Sequence, residues 1–118
     1  EVIPDLKNKM NGISYRVPTA TVSIIDFTVL ASKQTTAYEV NEAFRAAAKD
    51  PKYKQALGVT EEPLVSADFK ADPHGAIVDL LLTQVIDGNL IRAVAWYDNE
   101  MGYSYRLAEF CKYIGNKM

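Results

Sequence analysis

Apolar and polar side chains alternate through Ile13, Ser14, Tyr15, Arg16 and Val17. This is the period of a half-buried strand, and Pro18 ends it by removing a ladder donor. The next run, VSIIDFTVLAS at residues 22–32, is rich in β-branched and aromatic residues and apolar on both faces. Such a run predicts a central strand covered on two sides. Asp26 is its odd residue, because a carboxylate there needs a partner or an opening to water. In QTTAYEVNEAFRAAAKDP the spacing turns helical: Val40, Ala43, Phe44 and Ala47 share one face, and Pro51 marks the stop. Thr36 and Glu39 fit a capping box at its start.

Residues 52–75 read as loop, punctuated by Gly58, Pro63, Pro73 and Gly75, with a short strand at residues 64–69. Residues 76–82 are apolar and predict a strand. TQVI and NLIRAVAWY then flank Asp87-Gly88, the signal for a tight type I′ hairpin. GYSYRLAEFCKYIG predicts a last helix, with Leu107, Phe110, Cys111 and Ile114 on one face and Gly115 as its stop. The order of elements predicts an α+β class, a mostly antiparallel or mixed sheet with helices packed on one side.

Composition narrows the picture. The chain has 118 residues, 48% hydrophobic and 24% charged, which suits one domain with a core and argues against disorder. A net charge of −2 supplies no basic field for nucleic acid or an anionic membrane. One cysteine and one histidine exclude a disulfide framework within the chain, a Cys-rich zinc cluster and a multi-His metal site. No apolar run is long enough to span a membrane, and the start lacks the pattern of a signal peptide. Glu1 opens a polar, Pro- and Gly-broken stretch, EVIPDLKNKMNG, that reads as a connector. The chain therefore reads as the middle of something longer.

Few side chains offer chemistry. Neither Gly-rich phosphate loop occurs. The one conceivable nucleophile–base pair is Cys111 with His74. Cys111 lies on the apolar stripe of the last helix, where a buried, inert thiol is expected, and His74 lies in a loop expected to be solvated. The pair is not read as catalytic. Arg16, at the end of its strand, either clamps an anion such as phosphate or serves as a surface or salt-bridged arginine. WYDNEMGYS, at residues 96–104, joins a strand to a helix, so Asp98 or Asn99 either simply caps the helix or leaves an amide free to recognise another amide.

Longer runs say more than spacing. GISYRVPTATVSIIDFTV, TTAYEVNEAFRAAAK, EEPLVSADF, DPHGAIVD and VAWYDNEMGYSYR, in this order, resemble the glyceraldehyde-3-phosphate dehydrogenase family. The resemblance covers residues 1–118 as a C-terminal portion of that family's catalytic domain. It implies a cytoplasmic, glycolytic, homotetrameric oxidoreductase that converts an aldehyde phosphate, inorganic phosphate and NAD into an acyl phosphate and NADH, with NADP not excluded and no metal. By the same resemblance, Arg16 of RVPT binds a substrate or attacking phosphate. Asn99 of WYDNE bonds the nicotinamide carboxamide, and Tyr103 lies near the nicotinamide with weaker support.

The departures are equally informative. The family's nucleophilic cysteine sits in a motif like SCTTN, and its general-base histidine and Rossmann domain also lie upstream; none is in this chain. Cys111 and His74 match neither motif. Ala20-Thr21 stands where Pro-Asn is commoner, and Met101 where an aromatic is frequent. The expectation is a fragment inactive alone that needs the missing N-terminal Rossmann part. Alternatives are a fragment of an erythrose-4-phosphate or other aldehyde-phosphate dehydrogenase, or a non-catalytic binding or assembly module.

Overall fold

The Asp87-Gly88 turn does close a hairpin, and the rest of the sheet is laid against it. In the computed structural model, which describes residues 3–118, β1 spans Ser23–Leu30, α1 Ala37–Lys49, β2 Leu57–Thr60, β3 Ala76–Ile86, β4 Leu90–Tyr97 and α2 Met101–Gly115. The strand order is β1-β4-β3-β2. β4 runs antiparallel to β1 and β3, whereas β2 lies parallel to β3. The sheet is mixed and the class α+β, as expected.

Asp87 and Gly88 have φ of 49° and 72°, the left-handed pair that type I′ geometry requires. The Asn89 N–H donates to the Ile86 carbonyl at 3.3 Å. The chain leaving β1 folds over this turn, where Ala31 and Thr35 N–H groups donate to the Asn89 and Gly88 carbonyls at 2.8 and 2.7 Å. Thr36 then caps α1, accepting from the Glu39 N–H at 3.2 Å while its own N–H donates to Glu39 Oε2 at 2.9 Å. The Thr36 hydroxyl, donating to Glu39 Oε2 at 3.1 Å, and the Thr36 N–H hold the Glu39 carboxyl below its ordinary pKa.

Neighbouring residues on a strand face opposite ways, so the sheet has two apolar sides. On one, Phe44 of α1 meets Val78, Leu80 and Ala95, with Leu57 and Val59 beside them. On the other, Phe69 stacks on Trp96 with ring centroids 5.3 Å apart, and Val22, Ile77 and Leu64 complete the cluster. The Trp96 indole N–H donates to buried Asp79 at 3.1 Å, which satisfies both polar groups. Register slips between Asp79↔Val94 and Gln84↔Arg92, so β3 bulges there. Asn41 reaches across from α1 to donate to the Leu80 carbonyl at 3.0 Å.

The sequence expectations fail in definite places. Residues 13–17 form no strand, and Tyr15 is 81% exposed; alternation suits a strand but cannot supply a partner, and no described residue pairs with it. β1 is an edge strand rather than a central one. Ile25, Phe27 and Val29 remain exposed because α1 covers β2 and β3 and stops short of β1. Asp26 finds its partner in Arg92, whose Nη2 lies 2.6 Å from Oδ2, and this pair lowers the carboxyl's pKa. β2 lies inside the segment read as loop, where Gly58 and the short length hid it. Residues 64–69 form a 3-10 turn at Ser66–Phe69 instead of a strand, because Asp68 accepts from the Val65 N–H at 2.8 Å. Residues 76–82 and TQVI are one strand. The stripe of α2 carrying Leu107, Phe110, Cys111 and Ile114 is exposed, since no described residue packs over it.

Gly88 gives a direct test of the hairpin. A Cβ there would lie 1.8 Å from Gln34 Oε1, at a left-handed φ. Gly88→Ala is expected to lower stability by about 1–2 kcal/mol from backbone strain, with Gln34 swinging aside. Urea unfolding followed by Trp96 fluorescence measures the shift.

Candidate functional site

β4 ends at Tyr97, and the next residue fixes how the chain turns into α2. Asp98 is buried, and its Oδ1 accepts from the N–H groups of Glu100 and Met101 at 3.0 and 2.9 Å. Its Oδ2 accepts from the Ala71 N–H at 2.9 Å. Asp98 is therefore the cap of α2, and it ties that helix to the segment leaving the Ser66–Phe69 turn. The Met101 and Ala71 amides, with the nearby Lys70 charge assisting, hold its carboxyl below the ordinary aspartate pKa against the opposing effect of burial.

The first turn of α2 lies hard against the loop before β3. A Cβ on Gly102 would come within 3.1 Å of the His74 carbonyl oxygen, so only glycine fits this approach without movement. His74 is itself held locally: Asp72 Oδ1 accepts its N–H at 2.8 Å and lies 2.7 Å from ring Nδ1. His74 is half-buried rather than solvated, with its ring over Gly58 of β2. Cys111, expected to be buried, is exposed near the other end of α2. The two do not form a pair.

An open cavity of about 290 Å³ lies at this junction, lined by Gly75, Tyr97, Asp98, Asn99, Gly102, Tyr103 and Arg106. Asn99 and Tyr103 thus come together, both exposed, with Tyr103 at 71%. Ser23 Oγ is 3.5 Å from Asn99 Oδ1, a contact too long to occupy the amide. Arg16 is not part of this lining. It lies exposed in the irregular stretch before β1, and no ion pair holds it among the described residues. A smaller cavity of about 210 Å³ adjoins on the far side of Asp98, between Thr21, Lys70 and Met101.

Two residues at the site escaped the sequence reading. Gly102 was visible as a glycine in the first turn of a helix, which usually has a packing reason. Arg106 stands three residues beyond Tyr103 and three before Glu109, on one helix face. Its Nη2 donates to the Gln55 carbonyl at 2.6 Å, and its Nη1 pairs with Glu109 at 2.8 Å. No cluster of three or more His, Cys, Asp or Glu side chains placed to hold a metal occurs among the described residues.

Comparison with known proteins places this geometry in context. The family model for the glyceraldehyde 3-phosphate dehydrogenase C-terminal domain matches residues 1–99. The glyceraldehyde-3-phosphate dehydrogenase of Zymomonas mobilis is 52% identical over 108 residues, 92% of this chain and 32% of that protein. That of Geobacillus stearothermophilus is 45% identical over 116 residues, 98% of this chain and 34% of that protein. The chloroplastic glyceraldehyde-3-phosphate dehydrogenase A of Chlamydomonas reinhardtii is 47% identical over 116 residues, 98% of this chain and 31% of that protein. The chain spans about a third of the length of these relatives. Matches over 116 of 118 residues extend well into α2, beyond the family model.

The lowered pKa of Asp98 fixes a sign. Its contribution is complete above the unfolded value near 3.8 and disappears as pH falls through the lower folded value. Asp98→Asn is expected to flatten the acid limb of the stability curve, read as helix signal against pH. At pH 7, Asp98→Ala should cost about 0.5–2 kcal/mol, the range for a lost helix cap.

Proposed function

We propose, since this chain belongs to the glyceraldehyde 3-phosphate dehydrogenase family, that it is the C-terminal portion of the catalytic domain of a phosphorylating glyceraldehyde-3-phosphate dehydrogenase. The observation that carries this reading is the meeting of Asn99 and Tyr103 at one open cavity beyond β4. On this reading the enzyme takes an aldehyde phosphate, inorganic phosphate and NAD to an acyl phosphate and NADH.

The residues at the cavity fit a nicotinamide. Its volume of about 290 Å³ accommodates a planar ring, and two glycines, Gly75 and Gly102, leave the wall thin. Asn99 offers an unoccupied amide, whose N–H₂ and C=O match the complementary groups of a carboxamide. When bound, the nicotinamide supplies the hydride acceptor. Asn99 orients the ring by bonding its carboxamide, and Asp98, by capping α2, holds Asn99 at the cavity rim. Tyr103 covers part of the opening.

Arg16 acts on the other reactant. An exposed guanidinium without an internal carboxylate partner is free to form paired hydrogen bonds with a phosphate. Neither the thiol nor the base of the reaction falls to this chain, because Cys111 and His74 match neither of the family's motifs and do not form a pair. The upstream part of the enzyme supplies both, along with the dinucleotide-binding fold. The uncovered apolar surface of β1 and α2 supports the same reading, since it needs further chain or sister subunits of a cytoplasmic homotetramer to cover it.

Three outcomes test this. The isolated chain, mixed with aldehyde phosphate, phosphate and NAD, should produce no NADH absorbance; turnover lost on Cys111→Ser would overturn the assignment. In the full-length enzyme, Arg16→Ala should weaken the phosphate dependence by about 1.5–3 kcal/mol, the scale of a charged hydrogen bond, and unchanged phosphate saturation would exclude the clamp. Asn99→Ala should weaken apparent NAD affinity, and parent-like titration would remove its assigned role.

A further inference from the structure

We infer that Arg106 is a positioning residue, the second anchor that holds the α2 wall of the cavity in place. The inference deepens the reading above and rests on it for the identity of the ligand. α2 is attached to the body of the fold at few points. Gly102 is its one buried residue, and among the others only Arg106 and Glu109 are half-buried. Asp98 fixes the start of the helix, and Gly102 faces the His74 carbonyl in the first turn, leaving no room there for a side chain. Beyond these, the helix would be free to pivot about Gly102.

Arg106 removes that freedom. Its Nη2 donates to the Gln55 carbonyl, just ahead of β2, at 2.6 Å, while Nη1 meets Glu109 at 2.8 Å. The planar fork is thus pinned in two directions, one to the body of the fold and one along its own helix. A bond from a charged donor to a backbone carbonyl is stronger than a neutral one, which suits an anchor made by a single side chain. The Nε is buried without a partner, so the observed pose is held by the two terminal nitrogens rather than by satisfaction of every donor. Arg106 lines the same cavity as Asn99 and Tyr103 and shares a helix face with Tyr103. Fixing this wall therefore holds Asn99 and Tyr103, one turn apart on it, in place against the Gly75 and Tyr97 side of the cavity.

The test uses the full-length dehydrogenase that carries this segment, with Arg106→Ala, Arg106→Lys, Asn99→Ala and the double variant Asn99→Ala/Arg106→Ala. Without cofactor, amide hydrogen exchange at residues 99–106 should become about tenfold faster in Arg106→Ala, the signature of local opening. Arg106→Lys keeps one donor for Gln55 but not the fork, so its exchange should fall between that variant and the parent. In NAD titrations, Arg106→Ala should weaken binding about fivefold or more, and the double variant should bind no more weakly than Asn99→Ala alone, because the two act through one contact. Parent-like exchange in both Arg106 variants, or binding losses that multiply in the double variant, would overturn the inference. If Asn99→Ala binds NAD like the parent while exchange in Arg106→Ala rises, the anchor stands and the role given to Asn99 falls.

Discussion

Three backbone N–H groups converge on the carboxylate of Asp98, two from the start of α2 and one from Ala71. The remainder of the site depends on that convergence. Four amides at a helix start lack intrahelical partners, and an aspartate placed there satisfies some of them while favouring the positive end of the helix dipole. Here the same carboxylate also reaches across to the segment that follows the Phe69 turn. It therefore joins the end of β4, the start of α2 and the cluster in which Phe69 stacks on Trp96. Asn99 is exposed because its neighbour is buried: Asp98 faces inward to make these bonds, and the next side chain is left at the rim.

The distribution of apolar surface follows from what this chain covers and what it leaves open. α1 seals β2 and β3 on one face, and the Phe69 turn seals the β3–β4 hairpin on the other. β1 lies beyond both covers, held by its ladder to β4 and by the Asp26–Arg92 pair, with Ile24, Ile25 and Phe27 uncovered. α2 likewise shows Phe110 and Ile114 to the outside. Such faces are expensive in isolation and are ordinary where more protein packs over them. They agree with a chain about a third as long as its relatives.

Legibility in the sequence followed locality. The α1 capping box, the Asp87-Gly88 turn and the strand leading to Trp96 each depend on residues within a few positions, and each formed as read. Residues 13–17 and Val22 onward carried strand-like patterns, but whether such a run pairs or is covered depends on distant segments, which a local pattern does not report. β2 was hidden for the complementary reason: LGVT is only four residues long and interrupted by Gly58, and it is recruited by parallel pairing with Ala76–Asp79 of β3. At the site, spacing alone could not choose between Asp98 and Asn99 as cap. The motif likeness favoured a free Asn99, and the geometry has Asp98 capping. Arg106 depends on Gln55, far away in sequence, and no pattern around it pointed to that contact.

The central claim is that the cavity beyond β4 orients a nicotinamide through Asn99. It is tested most directly by a crystal structure of the full-length protein with NAD bound. The account predicts the carboxamide within hydrogen-bond distance of the Asn99 side chain, Asp98 still capping α2 and Tyr103 beside the ring. A cofactor whose nicotinamide lies elsewhere, with the Asn99 amide facing solvent, would contradict it.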